Sequence, residues 1–284
     1  MELLWLPFSV ATIVIVGFGQ VFAKETRTAT ASSNLLLLLG AHMFALMMPY
    51  WLLMGDATGH DASVWLQAAA AALLSAAAYI SYYEALKHGK ISIVGTIAGA
   101  YAPWTVVLAL LFLGESLSLG EAAGISLVVA GMLVFTYSAD DNGDRRTELR
   151  GIALALVSFF LWGTSAVVAK GAISEIGNTN FVGVFGIVVP STWLLYWLAT
   201  AKGRFEIPKT NLRVLELSMF CLAAGAVTIY MAFENGPVSI VSPVSNTYPI
   251  VTIAVAKVRL KERLSGRQMV ALAMLLASIP LFSL

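Results

Sequence analysis

Ten stretches of about twenty predominantly apolar residues follow one another along the chain: 3–22, 34–54, 64–86, 91–113, 118–137, 151–170, 180–200, 213–234, 238–257 and 265–283. A helix needs about 20 such residues to cross the ~30 Å hydrocarbon core of a bilayer. A segment surrounded by lipid must satisfy its own backbone hydrogen bonds, so each stretch reads as an α-helix. The connections Gly55–Ser63, Lys87–Lys90, Gly114–Leu117 and Asn235–Pro237 are short, which makes consecutive helices antiparallel neighbours. Hydrophobic residues are 59% of the chain and charged ones 12%, about half the charged share of a soluble domain. The amino terminus, MELLWLPFSV, lacks a basic segment and a small-residue cleavage site and reads as the first spanning helix rather than a removed signal peptide. A net charge of +1 gives no field to attract nucleic acid. The single Cys221 rules out an intrachain disulfide and a thiolate metal cluster, and no cofactor is expected.

Cations mark the two sides of the membrane. Sixteen of the seventeen Lys and Arg fall in the odd-numbered connections or at the stretch ends that border them, and the remaining one is Lys170. Cytoplasmic connections are enriched in Lys and Arg, so the odd connections are placed inside and both termini outside a cytoplasmic membrane. A missing or extra helix would scramble this alternation.

The second half repeats the first at an offset of 146–147 residues. Gly17-Phe-Gly-Gln-Val-Phe-Ala-Lys24 aligns with Gly163-Thr-Ser-Ala-Val-Val-Ala-Lys170. Ala85-Leu-Lys-His-Gly-Lys-Ile-Ser-Ile-Val94 aligns with Ala232-Phe-Glu-Asn-Gly-Pro-Val-Ser-Ile-Val241. Tyr101 falls opposite Tyr248, and Glu115-Ser-Leu-Ser118 opposite Glu262-Arg-Leu-Ser265. Five helices per half is an odd number, so the second half enters the membrane the other way up. The expected fold is an all-α integral membrane protein of ten transmembrane helices in two inverted five-helix repeats. Residues 1–137 are the first repeat, 138–150 a cytoplasmic linker and 151–284 the second. Inverted repeats of this kind occur in many secondary transporters, where they supply two related arrangements around one midplane site.

The Gly-x-x-x-Val-x-Ala-Lys ending, the ALxxGxxSIV segment before the fourth helix and the LGExLSxxExxG segment before the fifth resemble the drug/metabolite transporter superfamily, specifically its ten-helix EamA-like branch. The resemblance spans the whole chain. It implies transport of amino acids, other metabolites or drugs, with nucleotide sugars and sugar phosphates handled by related branches. Many family members are drawn with cytoplasmic termini; the cation pattern here argues the reverse.

Polar groups inside a bilayer are costly and are functional candidates for that reason. The substrate-binding candidates are Gln20, His42, Tyr79, Tyr82, Tyr101, Trp104, Trp162, Tyr230, Asn246 and Tyr248. Helix breakers occupy corresponding places in the two halves: Gly95, Gly99 and Pro103 in the fourth helix, Pro243 and Pro249 in the ninth. Paired interruptions point to a transport site, although Gly and Pro also kink or closely pack spanning helices, and Gly95-x-x-x-Gly99 is itself a close-packing motif. Lys24 and Lys170 are equivalent in the repeat and are read either as gate latches or as snorkelling cations. Glu84 and Glu234, at helix ends, are read as gate partners or interface residues. Glu115 and Glu262 are read as carboxylates favoured at the starts of the helices they precede. His42 is the one deep group that titrates near neutral pH; it is a coupling-proton candidate or a histidine bonded between helices. Trp5, Trp51, Trp65, Trp193, Tyr196 and Trp197 are expected as interfacial anchors.

Catalytic motifs are absent: there is no HExxH, no aspartate pair, no Ser–His or Cys–His set and no phosphate-binding glycine loop, so an enzyme is not expected. The expected function is a secondary transporter working by alternating access on small neutral or zwitterionic metabolites, with amino acid export as the leading case. Its partners are a small-molecule substrate and the lipid bilayer, with a proton as the coupling ion that His42 would permit. Monomer and homodimer both fit. The alternatives are a membrane interaction or structural protein, and a sugar-phosphate or nucleotide-sugar exchanger, which would call for Lys or Arg clusters at the midplane.

Overall fold

The computed structural model describes residues 3–26, 32–88, 91–136, 145–201, 204–205, 211–259, 266–278 and 281, with the side chains of 24–26, 91–93, 96, 135–136, 145–148, 256 and 268 left out. Its elements are α1 (Trp5–Thr26), α2 (Ser32–Met54), α3 (Ala62–His88), α4 (Ile91–Gly99), α5 (Ala102–Phe112), α6 (Leu119–Thr136), α7 (Arg145–Ala201), α8 (Leu212–Asn235), α9 (Val238–Ser245), α10 (Pro249–Arg259) and α11 (Gly266–Ser278). No strand occurs among the described residues. Every apolar stretch contains helix, and six helical runs are long and apolar enough to cross a membrane.

The boundaries depart from the apolar stretches in three places. The stretch 91–113 divides into α4 and α5 at Ala100–Tyr101, and Pro103, which has no amide hydrogen to give, stands in the first turn of α5. The stretch 238–257 divides into α9 and α10 at Asn246–Tyr248, with Pro249 opening α10. The third departure is a loss of separation. Residues 171–179, expected as a connection, are helical, and α7 runs on for 57 residues with one break at Gly177 (φ 76°, ψ 160°). That backbone conformation is essentially open to glycine alone.

The chain forms two compact units, each drawing on both halves of the sequence. The first comprises residues 1–76 and 168–236. Within it α1 lies along α8 across small residues. Ser218 Oγ donates to the Gly19 carbonyl at 2.9 Å, and the hydroxyls of Thr12 and Thr228 meet at 2.8 Å. A Cβ added at Gly225 would stand 2.4 Å from Val16 Cγ2, so the contact requires glycine. Helix α2 meets the second arm of α7 (178–201) in the same way, with Gly40 against Pro190 and Trp193, and Gly183 against the Trp51 ring. These contacts correct the interfacial reading of two tryptophans. Trp193 is fully buried and its indole N–H donates to the Ala76 carbonyl at 3.1 Å. Trp5 is buried against Gly236. Both positions are near helix ends in sequence, but close glycines draw the rings inward.

The second unit comprises residues 77–167 and 237–284. Here α6 packs on α11, with Gly131 against Ala271 and Leu275. The LGExLSxxE segment has a local structural account. Gly114 turns the chain after α5 at φ +64°. Ser118 and Glu121 form a capping box on α6: the Glu121 amide donates to Ser118 Oγ at 3.2 Å and the Ser118 amide to Glu121 Oε2 at 2.6 Å. Glu115 is thereby free of its own helix and serves another. Its carboxylate accepts the amides of Val238 at 2.9 Å and Ser239 at 2.8 Å, so it caps α9 rather than α6. All eight residues of α9 are buried.

Candidate functional site

The two helix interruptions of the second unit carry an aromatic cluster between them. Tyr101 stands at the α4–α5 break, Tyr248 at the α9–α10 break. Trp162, on the first arm of α7 (145–176), is central: its ring lies 4.9 Å from Tyr79, 5.6 Å from Tyr82 and 5.9 Å from Tyr101. Tyr82 and Tyr83 meet edge to face at 5.5 Å, and Tyr79 also lies near Tyr248. Trp104 donates its indole N–H to Thr164 Oγ1 at 3.1 Å. Gly163 makes that approach possible, since a Cβ there would stand 2.7 Å from Trp104 Cδ1. Gly95 and Gly99 leave the hydroxyls of Tyr82 and Tyr248 at 3.7 and 3.9 Å from where a Cβ would be. Met132 Cε of α6 lies equally near Gly99, at 4.0 Å from that point. The rings of Tyr79, Tyr82, Tyr101, Trp104, Trp162 and Tyr248 are all half-buried.

Beside these rings α9 holds unused hydrogen-bonding capacity. Ser239, Ser242, Ser245 and Asn246 lie within one arc of the helix at spacings of three to four residues, and all are buried. Tyr101 lies beside Asn246 and Ser242. The hydroxyls of Ser239 and Ser245 and the Asn246 Nδ2 have no hydrogen-bond partner among the described residues. Pro243, in the same helix, removes a further amide. A buried polar atom without a partner costs about 1–3 kcal/mol, so such groups on one short helix and its cap call for a water or a solute to complete them. Ser239 was not among the sequence candidates; it falls in an apolar Val-Ser-Ile-Val run, and only burial beside Ser242 and Asn246 singles it out.

The other candidates belong elsewhere. Gln20 is half-buried on α1 in the first unit. Tyr230, also in the first unit, stacks on Phe181, Phe185 and Phe233 at 4.7–5.8 Å, a core arrangement. Lys170 donates its ammonium to the Phe233 carbonyl in the last turn of α8, where such a cation satisfies a free acceptor. Glu234 Oε1 accepts the Asn178 amide at 2.9 Å and so caps the arm of α7 that restarts after Gly177. Glu84 pairs with Lys87 one turn along its own helix. The side chain of Lys24 lies outside the described residues, as does Glu262. His42 bridges two helices of the first unit. Its Nδ1 meets the Leu38 carbonyl and its Nε2 meets Glu216 Oε2, both at 2.8 Å. No group of His, Cys, Asp and Glu able to hold a metal occurs among the described residues.

Apolar helices of this length and number, in a chain with two repeats, define a multi-pass helical membrane protein. The EamA-like transporter family model matches residues 3–137 and again residues 149–284. The chain belongs to the EamA-like transporter family, a family of membrane transporters consistent with the drug/metabolite transporter superfamily. No curated protein matches it. One crystal structure of similar fold shares 17% identity and covers 97% of this chain and 95% of its own, with a TM-score of 0.81.

Proposed function

We propose that this protein is a secondary transporter for small neutral or zwitterionic metabolites, amino acids foremost, working by alternating access across the cytoplasmic membrane. One observation carries the reading: the row of buried hydroxyl and amide groups along α9 and its Asn246 cap, set beside the half-buried ring of Tyr101. Such a surface suits a solute with a polar end and an apolar or aromatic side chain. None of its side chains carries a formal charge, which disfavours a phosphate-bearing cargo. The ten apolar stretches are read as ten crossings. The break at Gly177 divides α7 into arms of 145–176 and 178–201, each of which, at 1.5 Å per residue, is long enough to cross a bilayer. The cation asymmetry supports termini outside and halves in opposite orientation.

Flux into proteoliposomes against a panel of amino acids tests the site. Asn246→Ala and Tyr248→Ala are each expected to abolish flux while the purified protein keeps its elution profile and helical spectrum. Normal flux in both variants would sink the α9 site. Orientation is checked by membrane-impermeant thiol labelling of cysteines placed in 138–150, with Cys221 replaced by serine. Labelling from outside intact cells would reverse the assignment.

A further inference from the structure

Helix α4 carries two adjoining stripes of different character. Val94 and Ala98, one turn apart, are fully buried in a core with Ala85 and Ala155. Gly95 and Gly99, each one residue further on, form the neighbouring stripe and are half-buried. Two other helical glycines of this unit are pressed against their neighbours. A Cβ added at Gly131 would stand 3.2 Å from Leu275 and 3.3 Å from the Ala271 carbonyl, and one added at Gly163 would stand 2.7 Å from Trp104. The α4 pair is different. Among the described residues outside α4's own turn, only the Tyr82 hydroxyl comes within 4 Å of that point at Gly95, at 3.7 Å. At Gly99 only the Tyr248 hydroxyl, at 3.9 Å, and the flexible end of Met132, at 4.0 Å, do so. A methyl group fits at both positions, so close packing does not require glycine there. What the two glycines maintain is space beside two hydroxyls. Gly99 also ends α4, and Pro103, four residues on, has no amide hydrogen to give its carbonyl.

We propose that this bare face of α4 is a specificity-determining wall of the solute site: the compact polar head of the solute lies against Gly95 and Gly99 and reaches the hydroxyls of Tyr82 and Tyr248. The wall belongs to the site of the transport reading and rests on that reading. It adjoins the polar groups of α9. Tyr101, two residues beyond Gly99, lies beside Asn246, whose buried Nδ2 has no partner among the described residues. Tyr248 stands two residues beyond Asn246, at the same break. A tyrosine hydroxyl can donate and accept, and a backbone carbonyl can only accept. These groups suit a head with both kinds of function, an α-carbon bearing an ammonium and a carboxylate. The hydroxyls donate to the carboxylate and the Gly99 carbonyl accepts from the ammonium. The side chain of the solute then turns toward Trp162, whose ring lies 5.6 Å from Tyr82 and 5.9 Å from Tyr101. Because no Cβ stands on the wall, the head has room for one more carbon on that side. An amino acid methylated at its α-carbon is therefore accepted, and a Cβ at position 95 or 99 excludes it.

The first test needs no cargo. In the full chain with Cys221→Ser, reconstituted in liposomes, Gly95→Cys and Gly99→Cys should react with a small charged methanethiosulfonate reagent, and Ala98→Cys, on the buried stripe, should not. No reaction at either glycine position, or equal reaction at Ala98, overturns the wall. The second test compares the flux of phenylalanine with that of α-methylphenylalanine. Gly95→Ala and Gly99→Ala should each lower the ratio of α-methyl to parent flux by about tenfold or more, the usual effect of one carbon in a fitted pocket. The melting temperature should stay at or above the wild-type value, since alanine suits a helix better than glycine and its Cβ meets no clash here. An unchanged ratio in both variants overturns the wall, as does a wild type that moves phenylalanine and rejects its α-methyl derivative. A melting temperature that falls in step with flux assigns the glycines to packing and overturns it too. Labelling at both glycine positions without flux of any amino acid leaves the bare face standing as a polar cleft and removes the transport reading. Flux without labelling removes the wall alone.

Discussion

Replacing Glu115 by alanine asks whether one carboxylate on the α5–α6 connection holds the start of α9. Two amides, of the buried residues Val238 and Ser239, donate to it at 2.9 and 2.8 Å. A hydrogen bond to a charged group contributes about 1.5–3 kcal/mol net, and a truncated partner leaves the buried amide unsatisfied. The two bonds share one carboxylate and Glu115 is half-buried, so they are not fully additive; the loss should be about 2–4 kcal/mol. At 1.36 kcal/mol per tenfold, local opening of α9 should become roughly 30- to 1,000-fold more frequent. Hydrogen exchange of the Val238 and Ser239 amides in detergent or nanodiscs reads this directly. Glu115→Gln keeps a neutral acceptor and should lose about half as much. Exchange in Glu115→Ala equal to wild type would refute the cap, because nothing else among the described residues is bonded to these amides in its place.

Four further outcomes follow from the geometry. Gly177→Ala places a Cβ on a backbone at φ 76°, ψ 160°, and should cost about 1–3 kcal/mol in reversible unfolding, although the nearest atom, Glu234 Oε1, is a tolerable 3.5 Å away. Gly163→Ala drives a methyl into Trp104 and should reduce flux far more than it lowers the melting temperature; equal losses would mean a general packing defect. Gly225→Ala should destabilise by about 1–3 kcal/mol through its 2.4 Å contact with Val16, and Val16→Ala in the same chain should restore part of that. Asp56, in the exposed α2–α3 connection, is held below the ordinary carboxylate range by the Thr58 hydroxyl at 2.6 Å and then by the Thr58 amide at 3.0 Å. What this turn adds to stability is present above the normal carboxylate range and disappears as pH falls through the lowered value. Thr58→Val should bring the Asp56 titration upward, followed by carboxyl carbon NMR.

The breaks at Tyr101 and Tyr248 could be read from the chain because Gly and Pro act on the backbone locally. The partners of the charged groups could not, because each is a pairing over long separations. Glu115 looks like a start signal for the helix it precedes, yet Ser118 and Glu121 already fill that role, and the carboxylate turns to α9 instead. Glu216 is four residues into an apolar stretch and reads as a stray edge charge until His42 is seen against it. The same limit applies to the aromatics. Tyr79, Tyr101 and Tyr230 look alike in sequence, but only the first two lie with Trp162; Tyr230 fills a phenylalanine core in the other unit.

The make-up of the compact units sets the order in which they can be built during synthesis. The first needs residues 168–236 to close over 1–76, and the second needs 237–284 to close over 77–167. Neither is complete when the ribosome has finished the first repeat. A fragment ending near residue 150 therefore has half of each unit and the whole of none, and it must wait in the membrane with glycine faces such as that of Gly19 uncovered. The second half, supplied as a separate polypeptide, holds all the missing surfaces.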